Sequence, residues 1–318
     1  MLGMAGCGSR PPEPQPVKQA KPVPPAPPVR ESEVMTAIKQ LGGELVEIRS
    51  LDGERWHGLK FRGGQFTDAY GAWLCQMPQV ESLDLWTTRI TDDGLTAVAR
   101  LSHLQRLSLP MRVGDAGLKA IAHLSELREL DLGFTHVTDA GMPELRSLTQ
   151  LRRLNLGCTR ITDRGLRALA PLRELCELDL SGTRITDASL PALVHFPQLR
   201  KLSLPSGITD AGLKHLAALP ALRELYLCSP AVTDAGLSEL ASLRQLRVLA
   251  LRHSQVSAEG LRQLASLEQL RTLDVCHTPI TEADLQRLRS FLPYCHIIDA
   301  NDCDLPPEGV LGPLGEIR

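Results

Sequence analysis

Between Val80 and Pro293 the apolar positions fall into one phrase written nine times, clearest in Leu151-Arg152-Arg153-Leu154-Asn155-Leu156, then Thr159-Arg160-Ile161-Thr162-Asp163 and Gly165-Leu166. The leading apolar residues stand at Val80, Leu104, Leu127, Leu151, Leu175, Leu199, Leu222, Leu246 and Leu270, so successive units run 24, 23, 24, 24, 24, 23, 24 and 24 residues. A period of roughly 20 to 50 residues marks stacked units rather than a globular core. In each unit the second and third leucines, such as Leu130 and Leu132 or Leu178 and Leu180, sit two apart and share one face of a short strand. Apolar residues then return three apart at Leu166, Leu169 and Leu172, the spacing of a helical stripe. Each unit therefore predicts a strand, a turn and a short helix.

A Thr-Asp pair precedes the helix at Thr91-Asp92, Thr138-Asp139, Thr162-Asp163, Thr186-Asp187, Thr209-Asp210 and Thr233-Asp234. The hydroxyl is placed to accept from a free first-turn amide and the carboxylate to face the positive end of the helix dipole, each worth about 0.5–1 kcal/mol. These aspartates read as caps and not as a catalytic series.

The pattern L-x-x-L-x-L resembles that of leucine-rich repeat proteins over residues 80–293, and the I-T-D-x-G-L continuation is similar to the cysteine-containing subclass found in F-box substrate receptors and in bacterial repeat proteins. The resemblance implies an α/β right-handed horseshoe with a parallel concave sheet and short convex helices. The position usually held by Asn or Cys is mostly Thr here, at Thr88, Thr135, Thr159, Thr183 and Thr278.

The flanks differ. Glu33–Leu41 predicts a helix stopped by Gly42-Gly43, and Glu44–Ile48 a strand. Trp56, Phe61, Phe66 and Trp73 then fill a degenerate first unit, so residues 31–79 form an N-terminal cap. Tyr294–Ile298 predicts a last strand, and 294–318 a C-terminal cap that a Cys295–Cys303 bridge would clip. Residues 1–30 hold Pro11-Pro12, Pro14, Pro16, Pro22, Pro24-Pro25 and Pro27-Pro28 with almost nothing to bury, the composition of a disordered, semi-rigid tether. Met4-Ala5-Gly6-Cys7 at its head resembles the lipobox of bacterial lipoproteins, which implies lipidation at Cys7. Only six residues precede Cys7, without the apolar stretch of a signal peptide, so this reading expects the true start to lie upstream.

Charge removes whole classes of partner. Lys+Arg number 35 against Asp+Glu 37, a net charge of −2, which exerts no general pull toward nucleic acid or anionic membrane. The arginines before the strands, Arg128, Arg152, Arg200, Arg223, Arg247 and Arg271, alternate with Glu129, Glu177 and Glu224, and aromatics for base stacking are scarce. No segment reaches 18 consecutive apolar residues, the length of a membrane-spanning helix.

Binding is expected on the concave strands. The first outward row, Ser82, Arg106, Glu129, Arg153, Glu177, Lys201 and Glu224, alternates in sign and reads as a self-satisfying surface ladder worth about 0–1 kcal/mol per pair. The second row holds Asp84, Asp131, Asp179 and Tyr226, and the third Trp86, Arg252 and Cys276, with Phe134 and His253 one step further. Exposed aromatics and arginines dominate contact energies. The candidate binding set is therefore Trp86, Phe134, Asp84, Asp131, Asp179, Tyr226, Arg252 and His253. The late Cys/His group, Cys228, His253, Cys276-His277, Cys295-His296 and Cys303, lacks the spacing of a metal site and reads as structural filling. No G-x-S-x-G, H-E-x-x-H, P-loop or dinucleotide fingerprint is present, so the sequence predicts no catalytic residues, cofactor or metal. The reading is a monomeric, non-enzymatic scaffold that binds a protein or peptide, tethered to a bacterial membrane. The alternative is a cytoplasmic adaptor of the F-box receptor type, although residues 31–79 contain no segment resembling an F-box.

Overall fold

The computed structural model describes residues 31–49 and 55–299. Among the described residues twelve strands form one sheet in strict chain order. They are β1 (Gly43–Arg49), β2 (Arg55–Phe61), β3 (Ser82–Asp84), β4 (Arg106–Ser108), β5 (Glu129–Asp131), β6 (Arg153–Asn155), β7 (Glu177–Asp179), β8 (Lys201–Leu204), β9 (Glu224–Leu227), β10 (Val248–Ala250), β11 (Thr272–Asp274) and β12 (His296–Ile298). From β2 onward every pairing is parallel and keeps one register, so Leu130, Leu154, Leu178 and Leu202 lie side by side in a single buried column. Short helices return the chain across the other face, giving the stacked units that the periodicity predicts in the right-handed curved solenoid that the leucine-rich repeat resemblance implies.

Those helices are α-helical at Asp163–Ala168 and Asp234–Leu240 but 3-10 at Met142–Ser147 and Asp187–His195; inside the latter Pro191 removes a donor that an α-helix needs, whereas Pro143 stands in the first turn, where the donor has no partner within the helix. Both kinds bury the same stripe, for example Leu166 and Leu169 or Leu190 and Leu193.

Two hydrogen-bond devices recur. In five units, at Thr88, Thr135, Thr159, Thr183 and Thr278, the Thr hydroxyl after the strand donates to the carbonyl three residues back, as in Thr135 to Leu132 and Thr159 to Leu156, both 2.6 Å, and so fills the role of the usual Asn or Cys. The Thr-Asp pair caps its own helix as predicted, Thr162 Oγ1 accepting from the Arg164 amide at 3.3 Å. Its carboxylate, however, also works between units. Asp139 accepts from both the amide (2.8 Å) and the hydroxyl (2.5 Å) of Thr162 one unit on, and Asp115, Asp163, Asp187 and Asp210 bind Thr138, Thr186, Thr209 and Thr233 in the same way.

This clamp explains the glycine of the motif. A Cβ at Gly165 would stand 2.5 Å from Asp139 Oδ1, and at Gly236 2.4 Å from Asp210 Oδ1, so a side chain there collides with the incoming carboxylate. One unit reverses the arrangement. Ala258 occupies the Asp position, the following Gly position is Asp284, and Asp284 itself accepts from the Thr281 amide (3.1 Å) and hydroxyl (2.6 Å).

At the N-terminal end Glu31–Gln40 is the expected helix, its Val34 and Ile38 buried with Phe61 and Phe66, whose rings lie 4.1 Å apart. β1 runs antiparallel to β2 and closes that edge of the sheet. At the far end Cys295 is a free thiol, so the expected bridge from it is not formed; Cys276 is the disulfide-bonded cysteine among the described residues. Cys7, the Pro-rich stretch and Cys303 lie outside the described residues.

Candidate functional site

The strand rows take the predicted order, but their chemistry differs from a bare concave surface. The first row is not a surface ladder. Arg106 and Glu129 are 4% and 2% exposed and pair at 3.6 Å, while Arg153 reaches Glu129 at 3.5 Å and Glu177 at 2.8 Å. Burial lowers the Arg106 pKa, with Glu129 opposing that shift. Sequence alternation gives the pairing correctly and misses its depth.

The acidic second row is likewise occupied with its own backbone. Asp131 Oδ1 accepts from the Gly133 amide at 2.9 Å, Asp179 from Ser181 at 2.8 Å and Asp84 from Trp86 at 3.1 Å, and Asn155 makes the same bond to Gly157 at 2.9 Å. Each is an Asx turn that ends the strand. Asp131 and Asp179 are almost fully buried, and burial pushes the Asp179 pKa up against the Ser181 donors and Lys201. As candidates for direct contact these two are corrected to turn-forming residues; Asp84 is half-buried and lies 3.8 Å from Lys60.

Tyr226 is also corrected. It is 7% exposed, its hydroxyl donates to Glu224 at 3.1 Å, and Lys201 Nζ stands 5.4 Å from its ring centroid. Arg252 is engaged by Asp274, Nε to Oδ2 at 2.5 Å, and is not an open guanidinium.

Within the repeats, three large apolar side chains stay exposed just past the ends of successive strands. Trp86, Met111 and Phe134, in three consecutive units, are 38%, 60% and 57% exposed. Phe134 adopts φ 60°, and the equivalent residues Cys158, His253 and His277 have φ 56°, 60° and 57°. Gly182 supplies the same left-handed turn at φ 66° without the side-chain penalty. Non-glycine residues in this region cost on the order of 1 kcal/mol each, and such outliers gather at functional surfaces. His253 stacks on His277 with centroids 4.5 Å apart and planes 8° from parallel, an arrangement in which the rings face each other. Met111 and Cys158 were not among the sequence candidates. Alignment of their positions with Gly182 is the signal that could have found them.

Reactive chemistry is poorly served. The Cys158, Cys176 and Cys228 thiols are pushed up, chiefly by burial, and Cys295 to about 11, so each is a neutral thiol near pH 7. A 390 Å³ depression between the last helices is lined by Arg262, Arg287, Glu259 and Asp284, but these already pair with one another.

A leucine rich repeat family model matches residues 149–206, and a second model of the same description matches residues 123–145. No curated protein matches. Among solved structures, an internalin from Listeria monocytogenes superposes with a TM-score of 0.55 at 21% identity, over 73% of this chain and 72% of that one. A leucine-rich repeat protein from Leptospira interrogans aligns at 19% identity over 71% and 74% of the two chains with a TM-score of 0.44. A plant peptide hormone receptor in complex with RGF2 aligns at 15% identity over 80% of this chain and 40% of that one, with a TM-score of 0.49.

Proposed function

The chain is a leucine-rich repeat protein, and from that premise we propose that it is a non-enzymatic scaffold that captures a protein or peptide along the exposed edge of its concave sheet. Proteins of this kind are generally interaction scaffolds and the fold family is typically non-enzymatic. The observation that carries the reading is the run of Trp86, Met111 and Phe134, large apolar side chains left in water on three successive units beside strand rows whose charges are internally paired. The sheet presenting them is continuous and hydrogen-bonded along its length, so little ordering entropy is lost on binding.

The proposal includes an envelope location with a lipid at Cys7, supported by the Met4-Ala5-Gly6-Cys7 tetrad and the Pro-rich spacer behind it. A disulfide at Cys276 fits an oxidising compartment. Intact mass of the native protein tests this part: a diacylglyceryl-bearing chain beginning at Cys7 supports it, and an unmodified cysteine removes it.

The binding function is tested by a photo-crosslinking residue placed at Phe134, with a control at Lys119 on a convex helix, in native cells. A polypeptide adduct from Phe134 alone is the expected result. Equal labelling from both sites, or none, would overturn the reading.

A further inference from the structure

Beside the exposed apolar run lies a second, cationic one that the sequence rows do not display. Each unit places one residue between its turn and the next buried Ile or Val. In the first five units these are Arg89, Arg112, His136, Arg160 and Arg184, all exposed. Backbone bonds tie them to the preceding unit, Arg89 to Phe66 at 3.0 Å, His136 to Val113 at 2.8 Å and Arg184 to Ile161 at 2.9 Å, and Thr138 with Arg160 and Thr162 with Arg184 form parallel bridges. The side chains therefore follow one another at about the 4.8 Å spacing of neighbouring strands.

Among the described residues Arg89, Arg112, Arg160 and Arg184 form no ion pair, unlike Arg106 and Arg153 on the strands. The nearest acidic series along the chain, Asp115, Asp139 and Asp163, is turned to an amide and a hydroxyl of the next unit and forms no ion pair with them. In the later units the same position is Gly207, Ala231, Gln255 and Pro279. The cations thus stop in the half of the molecule that carries Trp86, Met111 and Phe134.

We infer that this edge is a docking strip for an extended acidic segment of a partner protein, whose carboxylates meet Arg89, Arg112, Arg160 and Arg184 and whose apolar side chains cover Trp86, Met111 and Phe134. The inference rests on the scaffold reading and names the chemistry of its partner. Guanidinium forks match carboxylates in bidentate geometry. The strip spans four unit steps, about 20 Å, which roughly six extended residues cover. A nucleic acid or sulfated glycan would use the cations and leave the apolar run idle, and it would meet a chain whose net charge is −2.

The test is binding of the full chain to labelled polymers: a random glutamate–tyrosine copolymer, polyglutamate, heparin and polyuridylate. The copolymer is expected to bind best. Its affinity is expected to fall about tenfold or more in Arg112→Glu/Arg160→Glu, and also in Phe134→Gly, whose backbone at φ 60° suits glycine, so that folding is retained. Strongest binding to heparin or polyuridylate, or copolymer binding indifferent to these changes, would overturn the inference, as would no binding. If Phe134 crosslinks a partner in cells and Arg112→Glu/Arg160→Glu leaves that adduct unchanged, the acidic strip fails while the scaffold stands. If no adduct forms with the native chain, the scaffold reading itself fails.

Discussion

Asp179 carries a cost that its neighbour Asn155 avoids. Both end a strand by accepting from the amide two residues on, at 2.8 Å and 2.9 Å, and both are buried. Burial raises the Asp179 pKa despite the Ser181 donors. A carboxyl whose folded pKa is raised binds its proton more tightly in the native state, so stability is lost as pH rises through that raised value and the full cost is present above it. Asp163 has the opposite sign. Burial alone would raise it, but the Thr186 amide and hydroxyl and the Ser189 hydroxyl outweigh that and set it below the ordinary carboxylate range, so its contribution is lost as pH falls through the lowered pKa. Asp179→Asn keeps the acceptor and removes the charge. Its thermal midpoint at pH 7 is expected to equal or exceed the native value, with the difference shrinking as pH falls into the carboxylate range; a lower midpoint at pH 7 would show that the charge itself is needed, for instance by Lys201.

Between elements, the clamp from Asp to the next unit's Thr is the joint that stacks the solenoid. Asp139→Ala would leave the Thr162 amide and hydroxyl without that acceptor, a loss of roughly 1–3 kcal/mol. Gly165→Asp alone is expected to be worse, because its Cβ enters at 2.5 Å from Asp139 Oδ1 and brings a like charge. Together the two changes recreate the Ala258 and Asp284 arrangement around Thr281, and the double variant is expected to be more stable than Gly165→Asp alone. Denaturant midpoints of the four chains give the coupling, and simple additivity would contradict the clamp. The sequence displayed the Thr-Asp-x-Gly spacing and hence the cap within one unit. It concealed the joint, because the bonded residues stand 23 apart and meet only once the units are stacked. Burial was hidden for the same reason: the alternation of Arg106, Glu129 and Arg153 announces pairing, whereas their depth comes from neighbouring strands. Tyr226 misled similarly, since its outward position in the pattern says nothing about the Glu224 and Lys201 side chains that enclose it. The exposed edge was half legible. Trp86 and Phe134 are visible as aromatics on the strand rows, but the left-handed turn needs backbone angles.

Over the whole molecule, each unit touches only its neighbours, so stability is close to a sum of unit and junction terms along one dimension. The sheet has no gap from β1 to β12, and the antiparallel β1 closes one end. Leu178 sits midway in the leucine column, 1% exposed between Leu154 and Leu202, so a cavity there weakens two junctions at once. Leu178→Ala is expected to cost about 2–5 kcal/mol. The location of the damage is as informative as its size. In a nearest-neighbour solenoid the amides of β6, β7 and β8 should exchange faster first, while β2 and β3, stacked on the Phe61 and Phe66 cap, keep their protection. Hydrogen exchange resolved by peptide measures this directly. Equal acceleration from β2 to β11 would mean that the units unfold as one block, and no acceleration would place Leu178 outside the core.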